Sequence, residues 1–167
     1  MEIRDLDSFL DYFESVRSRT SRVIRCVPPS RLEWTYSAGK WTLGDLIRHI
    51  AASERYIFAE TVRGEHPKYA GCGKELADGF ENVLAYLDRM HQESVQIFRS
   101  LGNAALSRKC VTPDGKPITT WKWLRAMVEH EIHHRGQIYI YLGMLGVPTP
   151  PLYGLTSEQV RERSVQE

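Results

Sequence analysis

Cysteine is scarce in this chain: Cys26, Cys72 and Cys110 make an odd set with no CxxC spacing. That pattern fits a reducing compartment better than a disulfide framework. Of the three, Cys72, between Gly71 and Gly73, has the setting of the most reactive thiol. Long apolar runs are missing too, since none approaches the roughly 18 residues of a membrane span. The start Met1-Glu2-Ile3-Arg4-Asp5 has neither a basic n-region nor an apolar h-region, so the expectation is a cytoplasmic protein with no membrane partner. Net charge is nearly absent: a formal +1 gives no electrostatic footprint for nucleic acid.

Helical periodicity is what the sequence has. Leu6, Phe9, Leu10, Phe13, Val16, Val23 and Ile24 recur largely at threes and fours, predicting an amphipathic helix of about five turns that ends before Pro28-Pro29. Thr42 and Asp45 have the spacing of a capping box. They open a second helix whose stripe runs through Leu43, Leu46, Ile47, Ile50, Ile57 and Phe58 to a stop at Arg63-Gly64. A third helix is predicted from roughly residue 75 to 101. Pro113-Asp114-Gly115 between short β-prone runs predicts a small hairpin or an extended excursion. A fourth helix begins near Thr119 or Thr120 and stops before Pro148. The fold class expected is all-α, a four-helix bundle with that hairpin or extended insertion before its fourth helix. One domain spans residues 1–167, with a flexible tail from about residue 152; the order and direction of the helices stay open.

The fourth helix carries the chemistry. Between Met127 and Ile138, its inward stripe continues through His130 and His134. Residues i and i+4 differ by about 40° in azimuth and roughly 6 Å in height, so both imidazoles can reach one ion. Burying an unpaired imidazole costs on the order of 1 to 3 kcal/mol, which a metal or ordinary hydrogen bonds would offset. His49, three residues after Leu46, lies at the edge of the inward face of the second helix and is the third candidate ligand. His91 falls near the stripe of the third helix as a fourth ligand, a supporting group or a packed core-edge residue. His133 lies about 100° around the helix from His134, a poor position for a shared ion. Gln137 and Tyr141 are placed to line the cavity or to pack between helices.

His130-Glu131-x-x-His134 also reads as the HExxH pattern of zinc peptidases. The extended pattern fails at Gln137 and Ile140, which makes Glu131 a solvated or supporting carboxylate.

Taken together, Trp41-Thr42-Leu43-Gly44-Asp45-Leu46-Ile47-Arg48-His49-Ile50 and His130-Glu131-Ile132-His133-His134-Arg135-Gly136-Gln137-Ile138 resemble the DinB-like family of metal-binding four-helix bundles. The resemblance spans nearly the whole chain. It implies that His49, His130 and His134 ligate one divalent ion, nickel or zinc, and that the chain pairs into a homodimer. The family is functionally broad and includes bacillithiol S-transferases and mycothiol-dependent isomerases. The expected function is a metal-dependent thiol S-transferase acting on small electrophiles, with a small-molecule thiol as partner. The alternatives are a metal-dependent hydrolase of a small ester or amide, and a non-enzymatic, metal-stabilised stress module.

Overall fold

The computed structural model describes residues 2–165. Helix α1 spans Leu6–Ile24, capped by the Asp5 side chain, which accepts from the Ser8 amide. Helix α2, Leu43–Ser53, opens on the capping box: Thr42 Oγ1 accepts from the Asp45 amide and Asp45 Oδ2 accepts from the Thr42 amide, each at 2.9 Å. The helix runs on through a π segment, Glu54–Ala59, into α3, Glu60–Arg63, and Gly64 ends it at φ 81°. Helix α4 spans Phe80–Leu101, the strands β1 (Lys109–Val111) and β2 (Pro117–Thr119) form an antiparallel hairpin, α5 spans Thr120–Met144, and α6 spans Ser157–Ser164.

The structure corrects the start of the third long helix. It begins at Phe80 rather than near residue 75, because Gly79 takes φ 83°, outside the helical region, and the preceding residues pack as loop. Residues 157–164 form a capped helix without a buried side chain, closed by Thr156 and Gln159, within the stretch expected to be a tail. The hairpin, the capping box and the Gly64 stop lie where the sequence puts them.

Each long helix has an apolar end, a polar waist and a second apolar end. One core cluster gathers Val23, Ile24, Leu46, Ile50, Leu87, Ile138 and Leu142; the other gathers Phe9, Phe13, Phe58, Phe98, Leu124 and Met127. Between them lie Arg17 on α1, Ser53 and Glu54 at the end of α2, His91 and Ser94 on α4, and the histidine-bearing stretch of α5. Helices α1 and α5 run from the phenylalanine-rich cluster to the other, and α2 and α4 run the opposite way. The principal neighbours of both α1 and α2 are α4 and α5.

This order forces residues 64–79 to return along the bundle before α4 can start parallel to α2. Extended, they reach about 50 Å, enough to pass back over a helix of about 30 Å. Their path crosses the waist. Arg48, fully buried, fixes the crossover: Nε donates to the Cys72 carbonyl at 2.8 Å and Nη1 to the Ala77 carbonyl at 3.1 Å. The same guanidinium donates to Glu33 and Asp45 at 2.8 to 3.1 Å. Glycine is required at position 44 because a Cβ there would lie 2.7 Å from Glu33 Oε1 and 2.9 Å from Arg48 Nη2.

Candidate metal centre

His49, on α2, meets His130 and His134, on α5, at the waist. Nε2 of His130 lies 2.9 Å from Nε2 of His49 and 3.1 Å from Nε2 of His134. The ring centroids of His49 lie 4.9 Å from His130 and 4.6 Å from His134. One ligating nitrogen from each residue falls within 4.8 Å of the others, a spacing able to hold a metal ion.

The far nitrogens aim these rings. Gln137 Oε1 accepts at 2.7 Å from His134 Nδ1, which places the proton on Nδ1 and the lone pair on Nε2. His49 Nδ1 bonds the Tyr69 hydroxyl at 2.7 Å, with Ser53 Oγ 3.3 Å away. The His134 lone pair therefore points toward His130, and Nε2 of His49 faces the same nitrogen whichever way the Tyr69 hydroxyl bonds its ring. A cation would satisfy all three, and separations of 2.9 and 3.1 Å suit neighbouring ligands each about 2.0 to 2.1 Å from one ion. Burial, followed by the other histidines, lowers the pKa of His49 to about 4 and of His130 to about 3. Burial also lowers that of His134, although Gln137 opposes it. All three are neutral at pH 7, the form that ligates metals.

The π segment builds one wall. Residues nine apart on an uninterrupted α-helix point about 180° away from each other; absorbing one residue in a π turn leaves the eight-residue relation, about 80°. Phe58 thereby faces the same side as His49 and packs 5.5 Å from the His130 ring, backed by Trp123 at 4.7 Å. Trp41, just before the capping box, covers the His49 ring at 4.5 Å and the His134 ring at 5.9 Å. The Tyr141 hydroxyl donates to the Trp41 carbonyl at 3.3 Å while its ring packs edge-on against Trp34 and Tyr36.

Other candidates lie elsewhere. Glu131 is not solvated: only 2% exposed, it turns from the histidines toward α1 and pairs with Arg17 Nη2 at 2.9 Å, a charge contact off the hydrogen-bonding axis. Arg17 also pairs with Glu54, which accepts from His91 Nδ1 at 2.9 Å, while His91 Nε2 meets Glu14 at 2.9 Å. His91 is thus a buried ion-pair partner outside the triad. Burial opposes its protonation, but Glu54 outweighs burial and raises its pKa. Burial raises that of Glu131 despite Arg17, and in Glu54 the pull of Arg17 and His91 overcomes burial. His133 is exposed, packed edge-on to His134 at 4.9 Å. Burial pushes the Cys72 thiol up, against the expectation of special reactivity.

Tyr69, Ser53, Phe58 and Trp41 join the site without being nominated as site residues from the sequence. The position of Trp41 beside a capping box two turns from His49 was a usable signal; Tyr69, in the crossover, had none. No helix among the described residues is long and apolar enough to cross a membrane.

The fold matches a DinB-like protein from Bacillus cereus with a TM-score of 0.76 at 18% identity, covering 90% of this chain and 99% of that one. YfiT from Bacillus subtilis, described as a probable metal-dependent hydrolase with an unusual four-helix bundle topology, matches at 0.65 and 23% identity, over 86% of this chain and 89% of that one. A mycothiol-dependent maleylpyruvate isomerase matches at 0.56 and 18% identity, over 81% of this chain and 63% of that longer one. Residues 12–138 match the DinB superfamily across all four long helices, and the chain belongs to that superfamily.

Proposed function

We propose that His49, His130 and His134 hold one divalent ion, zinc or nickel, and that the protein is a metal-dependent thiol S-transferase acting on small electrophiles. The observation that carries this reading is the convergence of three neutral imidazole nitrogens, two of them aimed by Tyr69 and Gln137. Three protein ligands leave a coordination position open, as in catalytic rather than closed structural sites. Held by His49, His130 and His134, a divalent ion would lower the pKa of a thiol or water toward neutrality.

The chain's own residues orient and shield. Gln137 holds the His134 ring in one tautomer, Tyr69 fixes the direction of the His49 ring, and Phe58 and Trp41 pack against the histidines from two sides. The thiolate sulfur forms a new bond to an electrophilic carbon, whose leaving group departs with the electron pair of the broken bond. Thiol-consumption assays on zinc- and nickel-loaded protein, across cellular thiols and electrophiles, test this. Turnover lost in His130→Ala supports the reading; no turnover above that variant contradicts it. The likeness to YfiT favours a second reading, hydrolysis of a small ester or amide, which an esterase and amidase screen with and without chelator separates from the first.

A further inference from the structure

Charged residues flank every histidine of the triad, yet each is engaged away from it. All five N–H groups of Arg48, beside His49, are taken by Glu33, Asp45 and two crossover carbonyls. Glu131, beside His130, faces Arg17, and Glu129 pairs with Arg125 at 3.2 Å on the exposed side of α5. Arg135, beside His134, is buried with Nη1 toward the Val16 carbonyl at 3.4 Å. Helical geometry explains the pattern, because sequence neighbours of an inward residue point about 100° away.

The groups in contact with the triad are instead aromatic or neutral: Trp41, Phe58, Tyr69, Ser53 and Gln137, with His133 outside His134. Trp41 stands apart among them. It covers two histidines and still remains 42% exposed, so part of its ring is free. It is also held: Thr42, the next residue, is locked in the capping box, and the Trp41 carbonyl accepts from Tyr141. With an ion on the triad, this fixed aromatic surface would lie beside the ion's remaining coordination position as a stacking platform, because aromatic pairs gain about 0.5 to 1.5 kcal/mol beyond area burial.

We propose that the substrate group lying next to the ion is flat, apolar and uncharged, an aryl or conjugated alkenyl substituent, and that Trp41 selects it by stacking. This rests on the metal reading above. Charge complementarity with the ion is confined to the one ligand atom it binds; beyond that atom the walls offer stacking and exclude a second charge.

Binding of three probes to zinc-loaded protein, followed by calorimetry, tests the proposal: imidazole, 4-phenylimidazole and 4-(imidazol-4-yl)benzoate. A zinc titration comes first, and absence of stoichiometric zinc defeats the metal reading together with this one. With zinc bound, 4-phenylimidazole is expected to bind about tenfold or more tighter than imidazole. The benzoate should lose most of that gain. Trp41→Ala should bring phenylimidazole to within about threefold of imidazole, and Trp41→Phe should keep most of the preference. Equal affinities for the first two probes overturn the platform while leaving the metal reading intact. Tighter binding of the benzoate than of phenylimidazole overturns it as well, and would assign the exposed Lys40 or Lys68, which flank Trp41 and Tyr69, to an anionic substrate group.

Discussion

His130 and Glu131 are consecutive residues of α5, yet they belong to two polar sites built on opposite principles. The first joins three imidazoles whose ring nitrogens converge without a cation from the chain. The second joins Arg17, Glu54, Glu131 and His91, a cluster that carries its own cation and is sealed between α1, α2, α4 and α5. Both interrupt the apolar core at the same level. A rotation of about 100° separates them, so one helix presents two histidines to one neighbour and a carboxylate paired with arginine to another. Glu131 is kept from the role it has in an HExxH peptidase by its partner, because it is buried against Arg17 on α1 and engaged away from the histidines.

The sealed cluster should give the largest stability effect. Arg17→Met leaves Glu54 and Glu131 buried without their cation, and removing one partner of a buried pair costs about 3 to 5 kcal/mol. For a chain of this size that is a fall in Tm of roughly 10 °C or more. Thermal unfolding of the metal-free variant checks it, and an unchanged Tm would break the contrast. His130→Ala should behave in the opposite way. It should leave the metal-free unfolding free energy within about 2 kcal/mol of the parent while abolishing the gain on zinc addition, a gain of about 4 kcal/mol at a thousandfold excess over Kd.

The supporting groups come next. Tyr69→Phe and Gln137→Leu each remove the partner that aims a ring, and either should weaken metal binding by about 10- to 100-fold in competition with a chelator. Equal affinities would mean that backbone packing alone positions the rings.

Acid sharpens the comparison further, because the two sites titrate in opposite directions. In metal-free protein, His49 and His130 are held at about 4 and about 3, below the roughly 6.5 of an unfolded histidine. The unfolded chain binds these protons first, so the triad withdraws stability as pH falls from about 6.5 toward 4. His91, raised by Glu54, contributes stability that is present below about 6.5 and is lost as pH rises through its folded value. Histidine NMR titration of the metal-free protein should show His91 changing above pH 6.5, and His49 and His130 still neutral at pH 5. The smallest effect belongs to the exposed Arg125–Glu129 pair, where Glu129→Ala should move stability by no more than about 0.5 kcal/mol in thermal unfolding.

Local rules made much of this legible in advance. The threes-and-fours spacing of α1 and α5, the Thr42–Asp45 box and the Pro113-Asp114-Gly115 turn depend on neighbouring residues, and the sequence displays them directly. The i, i+4 relation of His130 and His134 is equally local. His49 could be nominated from its helix face, but its meeting with the pair required knowing that α2 packs on α5. The π turn at Glu54–Ala59 left no recognised sign, since Ile57 and Phe58 suit the stripe of an ordinary helix. Tyr69 reaches His49 only because the parallel course of α2 and α4 sends the crossover past the waist. Glu131 was misplaced for the same kind of reason: its partner Arg17 lies on α1, more than a hundred residues earlier in the chain.

Both the contrast and the proposed chemistry depend on one divalent ion held by three imidazoles. Chelator-stripped protein, titrated with zinc or nickel and studied by elemental analysis and X-ray absorption, tests it most directly. One ion per chain is expected, with three imidazole nitrogens at about 2.0 to 2.1 Å, and none in His130→Ala. Sub-stoichiometric uptake, or equal uptake by the parent and His130→Ala, would contradict it.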